Sequence, residues 1–155
     1  MNTIDIIPLI KQPRKVTILS HRNPDGDALG SSLAMARMLT YIGHQVKVIL
    51  PSEYPYYFDW LPDVESVVIA DSRVSYANTL IEECDLIICL DFNSLDRVDN
   101  VSQTVATSNK PIILIDHHQD PMPFAGYMIS DPLASSTAEL VYRFFEELGL
   151  LHRVD

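Results

Sequence analysis

The segment SHRNPDGDALGSS, residues 20 to 32, places His21, Asp25 and Asp27 close together on one turn. Two further polar stations follow: Asp91, which ends LIICL, and Asp116, His117 and His118, which end IILI. Carboxylates and imidazoles with no cysteine beside them suit Mn, Mg or Fe better than a structural zinc, which favours closed thiolate-rich sites. Four aspartates in one crevice would raise each other's pKa and destabilise the fold unless something positive sat among them. A divalent cation pair resolves the conflict, and two metals roughly 3.5 to 4 Å apart are a recurring device for in-line attack on phosphorus. Each residue alone has a plainer use: Asp27 as a helix N-cap, Asp91 as the cap of a turn, His117 as an exposed loop residue. Three clusters, each directly after an apolar run, make the metal site the stronger reading.

The elements that must bring these stations together are short apolar runs alternating with amphipathic stretches. KVTILS (15 to 20), QVKVIL (45 to 50), SVVIA (66 to 70), DLIICLDF (85 to 92) and PIILIDHH (111 to 118) are near-continuous in Val, Ile and Leu, the pattern of parallel strands buried on both faces. Helices are expected over 28 to 42, stopped by Gly43, and over 135 to 149, stopped by Gly149, with weaker patterns at 75 to 84 and 99 to 108. The order predicts a doubly wound, mostly parallel α/β sheet of about five strands with helices on both faces. In such a sheet the carboxyl ends of all strands share one edge, where ligand sites collect.

Local geometry then constrains each station. Pro24 stiffens the turn after His21, and Gly26 lets the carboxylates on either side aim inward. Gly30, Ser31 and Ser32 keep the start of the following helix small enough for an anion to approach free N–H groups. In an extended chain Asp116 and His118 would face one way and His117 the other, so one shared site requires the backbone to turn there. The breakers Pro121 and Pro123 follow.

At 155 residues and 47% hydrophobic composition the chain has material for one core. Its net charge of −10 opposes binding to long nucleic acids, which needs many cationic contacts to phosphate. No apolar run approaches the roughly 20 residues of a membrane span, and MNTIDIIPLIKQPRK has its basic residues after the apolar patch, the reverse of a signal peptide. A cytoplasmic protein with no membrane partner is expected. Cys84 and Cys89 adjoin and occupy a buried strand and are expected as apolar thiols rather than a disulfide. The prolines and aromatics of residues 51 to 62 mark an irregular connection that covers an edge of the core, with a base-stacking surface as the sharper alternative.

HRNPDGDALGSS, LDFNSLDRV, IDHHQDP and ASSTAEL resemble successive motifs of the DHH phosphoesterase superfamily, in particular its bifunctional oligoribonuclease and pAp phosphatase branch, over about residues 16 to 148. The resemblance implies one metal on His21, Asp25 and Asp91 and a second on Asp27, Asp91 and His117, with Asp91 bridging. Asp116 would support the site from its edge and His118 would contact the scissile phosphate. Arg97 would contact phosphate or form a salt bridge, the latter favoured. Ser135, Ser136 and Thr137 open the last helix, as caps or as substrate contacts. His44 and His152 receive no role.

The implied activity is hydrolysis, by a hydroxide activated by two divalent ions, of RNAs a few nucleotides long and of 3′-phosphoadenosine 5′-phosphate. Mn2+ is the expected ion, with Mg2+ the alternative. Sister activities on cyclic dinucleotides, pyrophosphate or polyphosphate, and a non-catalytic nucleotide-binding module, are the competing readings. Family members also carry a further metal-binding aspartate and a smaller C-terminal substrate domain, and the resemblance suggests self-association, as a homodimer. Asp155 follows the last helix too soon to be that ligand, so residues 1–155 are expected to be either the N-terminal catalytic part of a longer protein or an incomplete relative, with the second metal underliganded in both cases.

Overall fold

The computed structural model describes residues 5–153, so Asp155 lies outside the described residues. Six parallel strands form one sheet in the order β3-β2-β1-β4-β5-β6. They are β1 (Lys15–Leu19), β2 (Gln45–Leu50), β3 (Val68–Ile69), β4 (Leu86–Leu90), β5 (Ile112–Asp116) and β6 (Tyr127–Ser130). The helices are α1 (Ile7–Ile10), α2 (Gly26–Tyr41), α3 (Ala70–Glu83), α4 (Ser102–Ala106) and α5 (Thr137–Glu147). Strand order reverses between β1 and β4, where Ile18 is registered with Ile88.

Alternation along the strands explains why helices cover both faces. Val16, Ile18, Leu86, Ile88, Leu90, Ile113 and Ile115 pack with side chains of α1, α2 and α5. Leu19, Ile49, Ile87, Cys89, Ile112 and Leu114 point the other way, against α3 and α4. Hydrophobic burial on two faces thus holds the central strands rigid, and their carboxyl ends become a fixed edge. Gly43 (φ 102°) and Gly149 (φ 68°) end α2 and α5 in the left-handed region, as expected of helix stops. Both cysteines are free and buried, and burial pushes the Cys89 thiol far up.

Four expectations change. The sheet has six strands rather than about five, because half-buried β6 adds to the edge of β5. The segment 66 to 70 contributes only the two residues of β3, and Ala70 already begins α3. Residues 95–101 form a 3₁₀ segment before the short α4, in place of one helix over 99 to 108. Helix α2 starts at Gly26, and Asp25 caps it by accepting from the N–H groups of Asp27 and Ala28 at 3.0 Å each. Those amides are therefore engaged rather than free for an anion. Ser31 and Ser32 are fully buried, and Ser31 Oγ donates to the Asp27 carbonyl.

The aromatic connection is divided. Tyr54, Phe58 and Leu61 pack on Leu29, Leu33, Leu50 and Val64, as a core cover should. Tyr56, Tyr57 and Trp60 face solvent. Among the described residues no helix is long and apolar enough to cross a membrane.

Candidate metal centre

The stations predicted from sequence meet at the switch point. Asp91 is the hub: it follows β4 with φ 67°, a left-handed turn that asparagine and aspartate tolerate better than most residues. Its N–H donates to the Ile115 carbonyl at 3.1 Å, which ties the turn to β5. The carboxylate is only 2% exposed. His21, leaving β1, places Nε2 3.4 Å from Asp91 Oδ2, while its Nδ1 bonds the Arg22 carbonyl at 2.8 Å. Because a carbonyl only accepts, Nδ1 carries a hydrogen, and Nε2 is the nitrogen that faces Asp91.

Beyond Asp116 the backbone leaves the strand, as a shared site requires. His117 Nε2 lies 3.5 Å from Asp27 Oδ2 and 3.6 Å from Asp91 Oδ1. His118 Nδ1 lies 3.9 Å from Asp91 Oδ1 but donates at 2.7 Å to Asp116 Oδ1, and the two imidazole centroids are 4.9 Å apart. Asp116 is fully buried, and among the described residues its Oδ2 has no hydrogen-bond partner. Its carboxylate anchors His118 through Nδ1 and leaves that ring's Nε2 outside the bond.

Helix α5 supplies the other wall, by a route the sequence reading missed. The N–H groups of Thr137 and Ala138 donate to Asp27 Oδ2 and Oδ1, each at 2.8 Å. Asp27 therefore does cap a helix, but it is α5 rather than its own, where free amides and the helix dipole favour a carboxylate. Thr137 Oγ1 donates to Asp91 Oδ1 at 2.8 Å from a fully buried position. The signal was present in the spacing of Ser136 and Glu139: an S-x-x-E pattern makes Ser136 the N-cap and puts Thr137 in the first turn. Ser136 Oγ accepts from the Glu139 N–H at 3.0 Å, and Ser135 donates to Glu139 Oε2 through both N–H and hydroxyl. Both serines act as helix-terminal residues here.

Arg97 does not form the salt bridge expected of it. Among the described residues no ion pair of its guanidinium is present, and only its backbone is engaged, at the Arg22 N–H and Ser94 carbonyl. The ion pairs in this region belong to Arg22. His44 is structural: buried, with its ring bridging the Ile10 carbonyl and the Arg14 N–H.

The electrostatics show competing demands on a few buried groups. Burial lowers the His21 pKa, but bonding to Asp91 and the Arg22 carbonyl, with the charges of Asp91 and Asp25, carries it above its ordinary value. Burial raises Asp27 and outweighs the α5 amides that lower it, with Asp91's charge adding to the rise. For Asp91 burial again raises, yet His21, the Thr137 hydroxyl and the charge of His118 bring it below the usual carboxylate range.

The donor set fits divalent cations. The ligand atoms of His21, Asp25 and Asp91 lie within 4.8 Å of one another, and so do those of Asp91, His117 and His118. The first group is the set the sequence reading named. In the second, His118 stands where Asp27 was expected, although His118 Nδ1 is far closer to Asp116 than to Asp91. Asp27 keeps its contact with His117.

Together these features define a doubly wound α/β domain with a carboxylate and imidazole centre at its topological switch point. The chain belongs to the DHH family, N-terminal domain, which it matches over residues 15–153. It is 29% identical over 154 residues to the cyclic-di-AMP phosphodiesterase PdeA of Listeria monocytogenes serotype 1/2a (strain 10403S), a match covering 89% of this chain and 22% of that protein. It is 27% identical over 146 residues to the bifunctional oligoribonuclease and PAP phosphatase NrnA of Thermus thermophilus, covering 94% and 40%. A probable manganese-dependent inorganic pyrophosphatase of Bacillus cytotoxicus is 26% identical, covering 90% and 43%. The chain thus spans less than half the length of each of these relatives. Among solved structures, an exopolyphosphatase-related protein from Bacteroides fragilis superposes with a TM-score of 0.96 at 38% identity, covering 99% of this chain and 45% of that one. Exonuclease RecJ bound to manganese shares the fold at 18% identity and a TM-score of 0.56.

Proposed function

We propose that the chain is the catalytic part of a metal-dependent phosphoesterase acting on short oligoribonucleotides and on 3′-phosphoadenosine 5′-phosphate. The observation that carries the reading is the convergence of His21, Asp25, Asp27, His117 and His118 on the buried carboxylate of Asp91. His21, Asp25 and Asp91 would hold one divalent cation, and Asp27, Asp91 and His117 a second, with Mn2+ the ion and Mg2+ the alternative. Bound there, such ions make water nucleophilic near neutral pH and draw charge from phosphoryl oxygens.

The chain's own residues do the rest. Asp91 places one carboxylate between both ligand groups, so removing its charge disables both. Asp116 accepts the Nδ1 hydrogen of His118, and in the imidazolium form of that ring the Nε2–H would donate to a phosphoryl oxygen as charge develops. Thr137 and the first amides of α5 hold Asp91 and Asp27 in place. Arg97, with its guanidinium free of ion pairs among the described residues, is the candidate for a phosphate contact. Ser135 and Ser136, committed to the end of α5, are weaker candidates for that role.

The name of the Thermus relative supports the substrate class. A cyclic-dinucleotide phosphodiesterase is the second reading, favoured by the Listeria relative. We further place the chain as the N-terminal domain of a longer, homodimeric cytoplasmic protein whose remaining part grips substrate.

The test is hydrolysis in excess Mn2+ of a short oligoribonucleotide, 3′-phosphoadenosine 5′-phosphate, a cyclic dinucleotide and pyrophosphate, by the natural protein and its Asp91→Asn variant. Turnover of the first two, lost in the variant, supports the proposal. Turnover of the cyclic dinucleotide alone transfers it to the second reading, and binding without turnover reduces the site to a nucleotide-binding module.

A further inference from the structure

We infer that Arg22 is a positioning residue that aims the His21 imidazole, working through a latch with Asp71 and Asp99. The inference rests on the metal-centre reading only for its effect on cation affinity; the ring orientation it explains belongs to the metal-free chain.

Arg22 directly follows His21, and its carbonyl receives the Nδ1 hydrogen of that ring at 2.8 Å. Whatever fixes this carbonyl fixes which nitrogen of His21 faces Asp91. Arg22 is held from three sides. Its Nη1 and Nη2 donate to the two carboxylate oxygens of Asp71, at 2.9 and 2.7 Å, in the paired geometry that guanidinium and carboxylate favour. Nη2 also lies 2.6 Å from Asp99 Oδ2, and the Arg22 N–H donates to the Arg97 carbonyl at 2.9 Å. Asp71 stands in the first turn of α3, just beyond β3, while Arg97 and Asp99 belong to the 3₁₀ segment beyond β4. Asn100 closes the ring by donating to Asp71 Oδ1 at 2.8 Å. The latch therefore ties the connections that leave β1, β3 and β4.

A second observation points the same way. Asp99 has φ 45° and ψ −107°, a backbone conformation that residues other than glycine rarely adopt. Val98 and Val101 are fully buried on either side of it. The buried valines pin this strained turn, which carries the Asp99 carboxylate to Arg22.

Magnitude decides between stability and orientation as the purpose. Arg22, Asp71 and Asp99 have side chains 33%, 45% and 56% exposed, and ion pairs so solvated add little to folding. Partners that orient a metal-binding histidine commonly change metal affinity by about 10- to 100-fold when removed. With both Nη groups on carboxylates, Arg22 is also poorly placed to serve as a phosphate contact.

The experiment compares the natural chain with Arg22→Met, Arg22→Lys and Asp99→Asn. Nitrogen-15 NMR at alkaline pH reads the His21 tautomer without metal, and calorimetry reads Mn2+ affinity. The expected result is an Nδ1–H tautomer in the natural chain, a mixed population in Arg22→Met, and Mn2+ affinity lower by about tenfold or more with the melting temperature little changed. Lysine cannot reproduce the paired bonds and should restore only part of the loss. An unchanged tautomer and unchanged affinity in folded Arg22→Met overturn the inference. So does a variant that raises only the KM for a phosphoester substrate, since Arg22 would then be a substrate contact. Should Arg22→Met fail to fold, Asp99→Asn decides by the same two readouts. A natural chain that binds no Mn2+ refutes the proposed function, while the tautomer comparison still decides the latch.

Discussion

Replacing Thr137 by valine keeps the shape of a fully buried side chain and deletes one hydroxyl. That hydroxyl is the sole hydrogen-bond donor to Asp91 Oδ1 among the described residues, at 2.8 Å; the imidazole nitrogens nearest this oxygen are 3.6 and 3.9 Å away. A hydrogen bond to a charged acceptor contributes about 1.5–3 kcal/mol, and the oxygen left behind is buried without a substitute. For a domain of this length each kcal/mol moves the melting temperature by about 2–4 °C, so a loss near 2 kcal/mol lowers it by roughly 4–8 °C. Calorimetry of the metal-free natural chain and of Thr137→Val measures the difference. Saturating Mn2+ should narrow the gap, because a cation beside Oδ1 replaces the missing donor. Thr137→Ser, which keeps the hydroxyl, should retain most of the bond. Equal melting temperatures for the natural and valine chains without metal would refute the view that α5 holds the hub of the site.

Two further outcomes follow from the same geometry. Ile88, 2% exposed in the central strand β4, should cost about 2–5 kcal/mol when cut to alanine, measured by urea unfolding; a value near zero would mean that the sheet's two-sided packing is not what fixes the site edge. The Glu139 carboxyl is held below its ordinary range first by the Ser135 hydroxyl and N–H and then by Arg143. A depressed carboxyl contributes stability above its unfolded pKa and loses it as pH falls through the folded value. The natural chain should therefore lose stability downward from about pH 4.5 more steeply than Glu139→Gln, as thermal melts across that range would show.

The parts of the centre that were legible in sequence are those whose side chains sit at strand ends. His21, Asp91, Asp116, His117 and His118 each follow a continuous apolar run, and a parallel sheet places such ends on one edge. The start of α5 was legible in the spacing of Ser136 and Glu139, but its bonds to the site were not, because two of the three come from backbone amides, which every residue possesses. Their partner Asp27 lies 110 residues earlier than Thr137. Both Asp25 and Asp27 have the chemistry of an N-cap, and only tertiary packing assigns α2 to the first and α5 to the second. Strand β6 escaped because an edge strand needs no continuous apolar run, and all four of its residues are half-buried. Arg22 left no trace either, since its partners are 49 residues or more away in sequence.

The proposed function requires the carboxylate of Asp91 to be a shared seat for divalent cations. Titration of the metal-free chain with Mn2+, in the natural sequence and in Asp91→Asn, tests it most directly. The natural chain should bind Mn2+, and the folded amide variant should lose that binding, because a neutral side chain cannot hold cations at the centre of both ligand groups. Equal Mn2+ affinity in the two folded proteins, or none in the natural one, would contradict it.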